Sequence, residues 1–173
     1  MSKRMEFYIK DRPMLEKPYH LSGIGLPNVY LLNGVEIEHD PDYGKLVTIS
    51  DIHNLHHAIG FHIVSKPEPM TGDELRFLRK QMQATQTDLA HILRVDVQTI
   101  ANYEKGKTKN LGTAEVAMRM IFTLHIMPED AKKDFIKAVI GMSDRKPTKS
   151  RIPERIRKKI NGPWHDDGQR KAA

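Results

Sequence analysis

The sequence feature that most constrains the fold is the stretch LAHILRVDVQTIANYEKGKTK, residues 89–109. It contains two short runs with the apolar spacing of helices, separated by a turn near residues 93–96. Two helices of about eight residues joined by such a turn cannot lie antiparallel, so the connection holds them near a right angle. The stretch therefore predicts a pair of crossed helices.

Capping signals predict five helices between residues 71 and 142. Thr71 with Glu74 forms a capping box, and Thr85 with Asp88 repeats it, because each pair satisfies N–H groups that a helix start leaves unpaired. Asp96 can cap the third helix. The first is predicted over about 72–82, the second after residue 85, the third over 97–105, the fourth over about 113–126 and the fifth over about 128–140.

The first 66 residues mix strand and helix signals. Asn33-Gly34 lies between two runs rich in β-branched and apolar residues, which predicts a type I′ hairpin. In its second strand Val35 and Ile37 alternate with glutamates, which predicts one buried and one wet face. KLVTIS supplies a third strand. A helix capped by Ser50 or Asp51 follows, with an apolar stripe of Ile52, Leu55, Ile59 and Ile63.

Two prolines, Pro67 and Pro69, mark the best domain boundary, because neither can continue a helix. The predicted fold class is α+β. Residues 1–66 form a small N-terminal unit, a β-hairpin or three-strand sheet with one helix, which serves interaction or dimerisation. Residues 71–142 form an all-α five-helix domain, and residues 145–173 form a basic tail.

The positive charge is concentrated in that tail. The net charge is +6. From residue 145 onward there are ten Lys or Arg and three acids, so the tail carries 10 − 3 = +7 and residues 1–144 carry 6 − 7 = −1. The tail is either an arm that binds a polyanion or a solvated, partly disordered end. Within it, residues 151–160 have the apolar spacing of a narrow amphipathic helix.

Composition excludes several classes of site and protein. The chain has no cysteine, which excludes disulfides and thiolate sites for zinc or iron clusters. No apolar run approaches the roughly 20 residues that cross a bilayer, and the first residues lack the apolar core of a signal peptide. We therefore expect a cytoplasmic protein that makes no membrane contact.

Residues 71 to about 124 resemble the helix-turn-helix domain of the Xre, or lambda-repressor and Cro-like, family of regulators. The residues that carry the resemblance are Arg79, Thr85, Gln86, Leu89, Ala90, Val95, Thr99, Ile100 and the closing residues 103–107. The resemblance implies a lambda-repressor-like five-helix domain. The helix over 97–105 would then enter the major groove of DNA.

The resemblance also implies DNA contacts residue by residue. Base contacts are assigned to Val97, Gln98 and Asn102, because amide side chains can pair bidentately with adenine and valine can touch a thymine methyl. Thr99 serves either a base or a phosphate. Phosphate contacts are assigned to Gln86, Lys105, Lys107, Lys109 and Asn110. Arg94, which departs from the family pattern, is a further candidate for a phosphate contact.

Four residues of this domain bear on its scaffold. The resemblance implies that Arg79 and Glu104 form an interior ion pair between the first and third helices. Gln83 and Arg94 stand where family members often have a left-handed glycine, so the turn either bends differently or carries strain on the order of 1 kcal/mol. Arg94 either offsets this strain with a phosphate contact or is simply solvated.

The histidines raise the alternative of a metal site or a pH sensor. His53 and His57 are four residues apart and share a helix face, a spacing that can hold zinc when a third ligand is supplied. No third ligand is evident, and the plainer interpretation is a polar face opposite the apolar stripe. The chain also shows no Gly-rich phosphate loop and no nucleophile elbow. We expect neither an enzyme, nor a bound metal, nor a cofactor.

The leading hypothesis is a transcriptional regulator that binds double-stranded DNA sequence-specifically. One such motif reads few base pairs, so we expect a homodimeric repressor on a palindromic operator with half-sites about 10 bp apart. The alternative is an antitoxin-type protein that neutralises a toxin or adapter through residues 1–66 and autoregulates its operon. Its layout resembles MqsA-type antitoxins, although the cysteines that commonly bind zinc in those relatives are missing here.

Overall fold

The computed structural model describes residues 4–108, 110–133 and 164–166. The chain has the predicted α+β fold, with five strands over residues 5–49 followed by helices. Residues 129–133 begin the helix predicted over 128–140. The rest of that helix, the predicted amphipathic segment 151–160 and Lys109 lie outside the described residues.

The element bounds follow the capping signals closely in the second half of the chain. The strands are β1 Met5–Ile9, β2 Tyr19–His20, β3 Val29–Leu31, β4 Val35–Asp40, β5 Gly44–Ile49 and β6 Trp164–Asp166. The helices are α1 Ile52–Ser65, α2 Gly72–Gln81, α3 Gln86–Leu93, α4 Val97–Glu104 and α5 Thr113–Ile126. None of the helices described here combines the length and apolar character that crossing a membrane requires.

Four strands form the main sheet, in the order β2–β3–β1–β6. β1 and β3 are parallel, whereas β2 and β6 run antiparallel to their neighbours. β6 comes from the C-terminal region and pairs Trp164 with Ile9. Residues 164–166 are therefore part of the folded sheet.

The predicted hairpin at Asn33-Gly34 is wrong. β3 already pairs with β1 on one edge and β2 on the other, so no edge is left for β4. Asn33 is buried, and its side chain accepts a hydrogen bond from Ile9 N at 2.7 Å and donates to Ile9 O at 2.9 Å. The residue serves as a tether between the ends of β1 and β3, because its amide satisfies backbone groups that the sheet leaves unpaired.

The hairpin of this region instead joins β4 to β5. Asp40 Oδ1 accepts hydrogen bonds from Asp42 N and Tyr43 N, both at 2.8 Å, and Gly44 closes the turn at φ 74°. Val35 is buried at the base of the hairpin, but Ile37 is 51% exposed. The predicted buried face is therefore wrong beyond Val35, because β4 and β5 form a separate two-stranded sheet.

Helix α1 packs the N-terminal strands against the helices that follow. Asp51 is its N-cap, and Leu55, Ile59 and Ile63 of the predicted stripe are fully buried, whereas Ile52 is exposed at the first turn. At Gly60 the helix meets the Phe122 ring of α5. The strands and helices consequently share one hydrophobic core rather than two.

The segment between α1 and α2, the predicted domain boundary, is held by side chains from both sides. Arg119 of α5 donates to the carbonyl oxygens of Ile63, Val64 and Lys66 at 2.9–3.1 Å and to that of Glu68 at 2.8 Å. Its guanidinium also pairs with Glu115 at 2.7 Å, and Glu115 accepts from Met70 N at 3.0 Å. We call Arg119, Glu115 and residues 63–70 the clamp. It fixes α1 relative to α2 and α5.

Replacing Gly60 with alanine should lower the free energy of unfolding by about 1 kcal/mol or more. Alanine improves helix propensity by about 1 kcal/mol, but overpacking a core costs about 1–3 kcal/mol. Overpacking wins here because a Cβ on Gly60 lies 2.3 Å from Phe122 Cε1. Urea denaturation followed by circular dichroism measures the change. The Gly60→Ala/Phe122→Leu pair should recover part of the loss, and a stabilised single variant would contradict the contact.

Candidate nucleic-acid interface

The turn between α3 and α4 contains an arginine in a left-handed conformation. Arg94 has φ 56° and ψ 42°, and Val95 N donates to Ala90 O at 3.1 Å. Gln83, after α2, has φ 55°. Both turns keep the backbone conformation that glycine usually supplies, so the alternative in which the turn bends differently is wrong. The Arg94 side chain is exposed to solvent.

Helix α4 turns one face inward and the other outward. Ile100 and Tyr103 are buried in the core. The outward face has the helical spacing i, i+1, i+4, i+5 and i+8, and its members are Val97, Gln98, Ala101, Asn102 and Lys105. We call these five residues the α4 outer face. Asp96 fixes its start, because Asp96 Oδ1 accepts from Gln98 N at 2.6 Å.

Two amide side chains on the α4 outer face are coupled. Gln98 Nε2 donates to Asn102 Oδ1 at 2.9 Å, one turn along the helix. Both residues were predicted to read bases, and the structure places them side by side. Val97 is 37% exposed at the start of the same face, and Thr99 is half-buried at its margin.

Ala101 is a member of the α4 outer face that sequence reasoning missed. It lies four residues after Val97 and between Gln98 and Asn102 in sequence, and it is half-buried. Because the Ala101 side chain is only a methyl group, the amide side chains of Gln98 and Asn102 project further from the helix than Ala101 does. The i, i+4 spacing from Val97 was the signal that could have identified it.

Helix α4 is anchored at its C-terminal end by a buried carboxylate. The Glu104 side chain is 1% exposed, and Arg79 of α2 binds it with two hydrogen bonds, Nε to Oε1 at 2.6 Å and Nη2 to Oε2 at 2.9 Å. Arg76 adds a bond to the Glu104 carbonyl oxygen at 2.6 Å. Burial alone would raise the pKa of Glu104, but hydrogen bonds from Arg79 and Gln86 outweigh it and hold that pKa below its usual value.

Gln86 belongs to this interior network. Its Nε2 donates to Glu104 Oε2 at 2.9 Å. Gln86 was predicted to contact a phosphate, and one of its two amide protons is bound to Glu104 instead. The second amide proton and the N–H groups at the start of α3 remain as donors for that predicted contact.

The helix end is also tied to the clamp. The Tyr103 hydroxyl donates to Met70 O, and burial, with Glu115 and Glu74 nearby, raises the pKa of Tyr103 to about 12. Gly72, at the start of α2, approaches so closely that an added Cβ would lie 2.2 Å from Tyr103 O. The α4 outer face therefore stands on a rigid support.

The loop after α4 presents cations next to this face. Lys105 and Lys107 are exposed on either side of Gly106, which has φ 68°. Asn110 is exposed too, and its Oδ1 accepts from Gly112 N at 2.7 Å, which leaves its amide protons free to face a ligand. The predicted contact from Lys109 concerns a residue outside the described part of the chain.

Two short helices, a left-handed turn between them and an outward polar face on the second helix are typical of a helix-turn-helix. A helix-turn-helix family model matches residues 75–116. This segment is a helix-turn-helix domain of the Xre, or lambda-repressor-like, type. The helix-turn-helix match spans α2, α3, α4 and the start of α5, and the resemblance found in the sequence is confirmed there.

The helix-turn-helix match indicates a class of function. It supports a DNA-binding regulator of the helix-turn-helix type with double-stranded DNA as partner, and the family is one of regulators rather than enzymes. Comparison with curated proteins finds no match, and neither does comparison with solved structures. The helix-turn-helix domain therefore carries the functional argument.

Four of the nine histidines lie on α1, which packs against α2 and α5. The His53 and His57 rings are 4.2 Å apart, and the His56 ring meets the edge of Phe77. Burial, with His53 and His125 nearby, lowers the pKa of His57 to about 4, so this side chain is neutral at pH 7. Across residues 4–108, 110–133 and 164–166, no group of three or more His, Cys, Asp or Glu side chains is placed to hold a metal ion.

Proposed function

We propose that this protein is a cytoplasmic, sequence-specific transcriptional repressor that binds a palindromic operator as a homodimer and inserts α4 into the major groove. The observation that carries the proposal is the α4 outer face, where the exposed Gln98 amide is coupled to the half-buried Asn102 amide on a helix that is fixed by buried groups. A face of this kind matches the base edges of a duplex, because amide donors and acceptors can distinguish base pairs there.

The Gln98–Asn102 hydrogen bond determines which groups the pair offers to DNA. It uses one proton of Gln98 Nε2 and Asn102 Oδ1. Asn102 Nδ2 remains as a donor and Gln98 Oε1 as an acceptor, which are the groups that adenine N7 and the adenine amino group require. We expect the pair to select an A·T base pair as a unit. A pre-formed pair also loses less side-chain freedom on binding.

Exposed cations beside the reading face supply affinity without sequence information. Lys105 and Lys107 flank Gly106 immediately after α4, and Arg94 lies in the turn before it. In the proposal all three contact phosphates. Neutralising a phosphate releases counterions, so each such contact makes binding weaker as salt rises. The N-terminal unit, residues 1–66, is assigned to dimerisation in this proposal.

Replacing Gln98 with alanine should relax base preference. The variant loses the acceptor and uncouples Asn102, so discrimination at one or two base positions should fall by about 1–3 kcal/mol. Titration of selected and single-substituted duplexes, followed by fluorescence anisotropy, measures this loss. Binding to random DNA should stay close to that of the wild type.

Replacing Lys107 with alanine should instead weaken binding to all duplexes alike. A lost phosphate contact lowers the slope of log K against log salt by about one unit and leaves base preference unchanged. The two variants serve as controls for each other. Equal losses on selected and random DNA for both would contradict the separate roles assigned to α4 and to the loop.

A further inference from the structure

The β4–β5 hairpin exposes apolar side chains and unpaired strand edges. Ile37 is 51% exposed, Leu46 42% and Val47 37%. Among the described residues, no strand pairs with the outer edge of β4 or of β5. An isolated two-stranded sheet is marginally stable in water, and an open edge is a template for pairing with another chain.

The register of the hairpin shows which backbone groups point outward. Ser50 N donates to Gly34 O at 2.9 Å, so these residues form a hydrogen-bonded pair at the base of the hairpin. Hydrogen-bonded and non-hydrogen-bonded pairs alternate along an antiparallel ladder. The pairs Val35/Ile49, Ile37/Val47 and His39/Lys45 are therefore the non-hydrogen-bonded ones. The N–H and C=O groups of these six residues face away from the partner strand, three residues on each outer edge.

The two edges differ in their ability to pair with a second copy of the chain. Antiparallel self-pairing of β4 that uses its three outward residues is centred on Ile37. This register places Glu36 of each copy opposite Glu38 of the other copy. Two such glutamate pairs therefore form, one on each side of the two-fold axis at Ile37. Like charges directly opposite each other destabilise a sheet. The edge of β4 is thus protected against self-association.

The edge of β5 has no such barrier. Self-pairing that uses its three outward residues is centred on Val47, which then lies opposite its own copy. Lys45 lies opposite Ile49 of the second copy and Leu46 opposite Thr48, so no like charges meet. On the face that carries Val47, the exposed Ile37 side chains continue the apolar surface, since Ile37 pairs with Val47 within each hairpin.

We propose that two copies of this protein associate through β5, with the two-fold axis at Val47, to form a continuous antiparallel sheet β4–β5–β5–β4. The occupant of the exposed edge is a second copy rather than another protein, because only the edge without acidic residues is self-complementary. The inference rests on the proposed function in one respect, that a palindromic operator needs two copies. It places the dimer contact on the N-terminal unit rather than on the α4 outer face.

A proline at each edge tests the assignment on the full chain without DNA. Val47→Pro removes the central outward N–H of β5, and Ile37→Pro removes the corresponding N–H of β4, so the two variants are matched in position within the hairpin. Sedimentation equilibrium should show a wild-type dimer, a dissociation constant raised at least about tenfold in Val47→Pro, and little change in Ile37→Pro. Unchanged circular dichroism spectra confirm folding. A monomeric wild type at about 100 μM, a concentration at which even weak specific dimers assemble, would overturn the proposal, as would greater dissociation in Ile37→Pro.

A charge exchange at Val47 tests the position of the axis and does not depend on proline. A residue on a two-fold axis meets itself, so Val47→Lys and Val47→Glu should each dissociate into monomers. A mixture of the two should recover a heterodimer, because opposite charges then face each other. Failure of the mixture to associate would overturn the register. Binding of these monomers to a single half-site tests the proposed function separately, since that contact requires only one copy.

Discussion

Replacing Glu104 with alanine is expected to lower the free energy of unfolding by about 3–5 kcal/mol, because the change leaves a buried arginine without its counter-charge. The Arg79 side chain is 13% exposed, and its guanidinium donates two hydrogen bonds to the Glu104 carboxylate. The Gln86 amide donates a third. Urea denaturation at pH 7 measures the loss. A loss below about 1 kcal/mol, the range of a surface pair, would contradict a buried anchor for α4.

The Glu104→Gln variant separates charge from shape, since it keeps the size and one acceptor oxygen. The pKa of Glu104 is lowered in the folded protein, so its contribution is present above the unfolded pKa of about 4.3 and is lost as pH falls through the folded value. The stability gap between wild type and Glu104→Gln should be full at pH 7 and should narrow as pH falls below the unfolded pKa. A gap that stays constant over this range would show that the charge is not its source.

Replacing Arg119 with alanine is expected to cost about 3 kcal/mol of unfolding free energy and to loosen the clamp. The change leaves the carbonyl oxygens of residues 63, 64, 66 and 68 without this donor and Glu115 without its cation. Amide hydrogen exchange at Met70 should accelerate more than tenfold, since its N–H donates to Glu115.

Val116→Ala is the matched control for Arg119→Ala. Val116 lies on the same helix and is 60% exposed, so its loss should change stability by less than about 0.5 kcal/mol. If Met70 exchanges at the same rate in both variants, the clamp is not what holds α1 to α2 and α5. Retained protection in Arg119→Ala would lead to the same conclusion.

Helix bounds were predictable because their causes are local. Thr71 with Glu74, and Thr85 with Asp88, form the predicted capping boxes, and α5 runs over Thr113–Ile126 as predicted. A cap is decided by residues within one turn of the helix start, so a short stretch of sequence contains all the information required. Helical spacing likewise predicted the burial of Leu55, Ile59 and Ile63 on α1, but not the exposure of Ile52 at its first turn.

Strand pairing was not predictable because its causes are distant in sequence. Asn33-Gly34 has the composition of a hairpin turn, yet the position of β1 and β2 on both edges of β3 excludes a hairpin there. The pairing of β6 with β1 joins residues more than 150 positions apart. No local pattern distinguishes such a strand from a solvated tail.

The candidate interface was predictable only in part. The α4 outer face follows from helical spacing, so Val97, Gln98 and Asn102 could be predicted to share one surface. The Gln98–Asn102 hydrogen bond and the engagement of Gln86 with Glu104 could not, because both depend on side-chain rotamers set by packing. Arg94 was evident as a departure from the pattern, but only the structure shows that it adopts the left-handed conformation.

Selection of bound duplexes from a random pool by the full chain tests most directly whether the α4 outer face reads DNA. The proposal predicts an enriched motif with A·T pairs that appears as inverted copies about 10 bp apart, and the loss of enrichment at those pairs for Gln98→Ala. A pool that stays unenriched, or a motif that Gln98→Ala leaves intact, would contradict it.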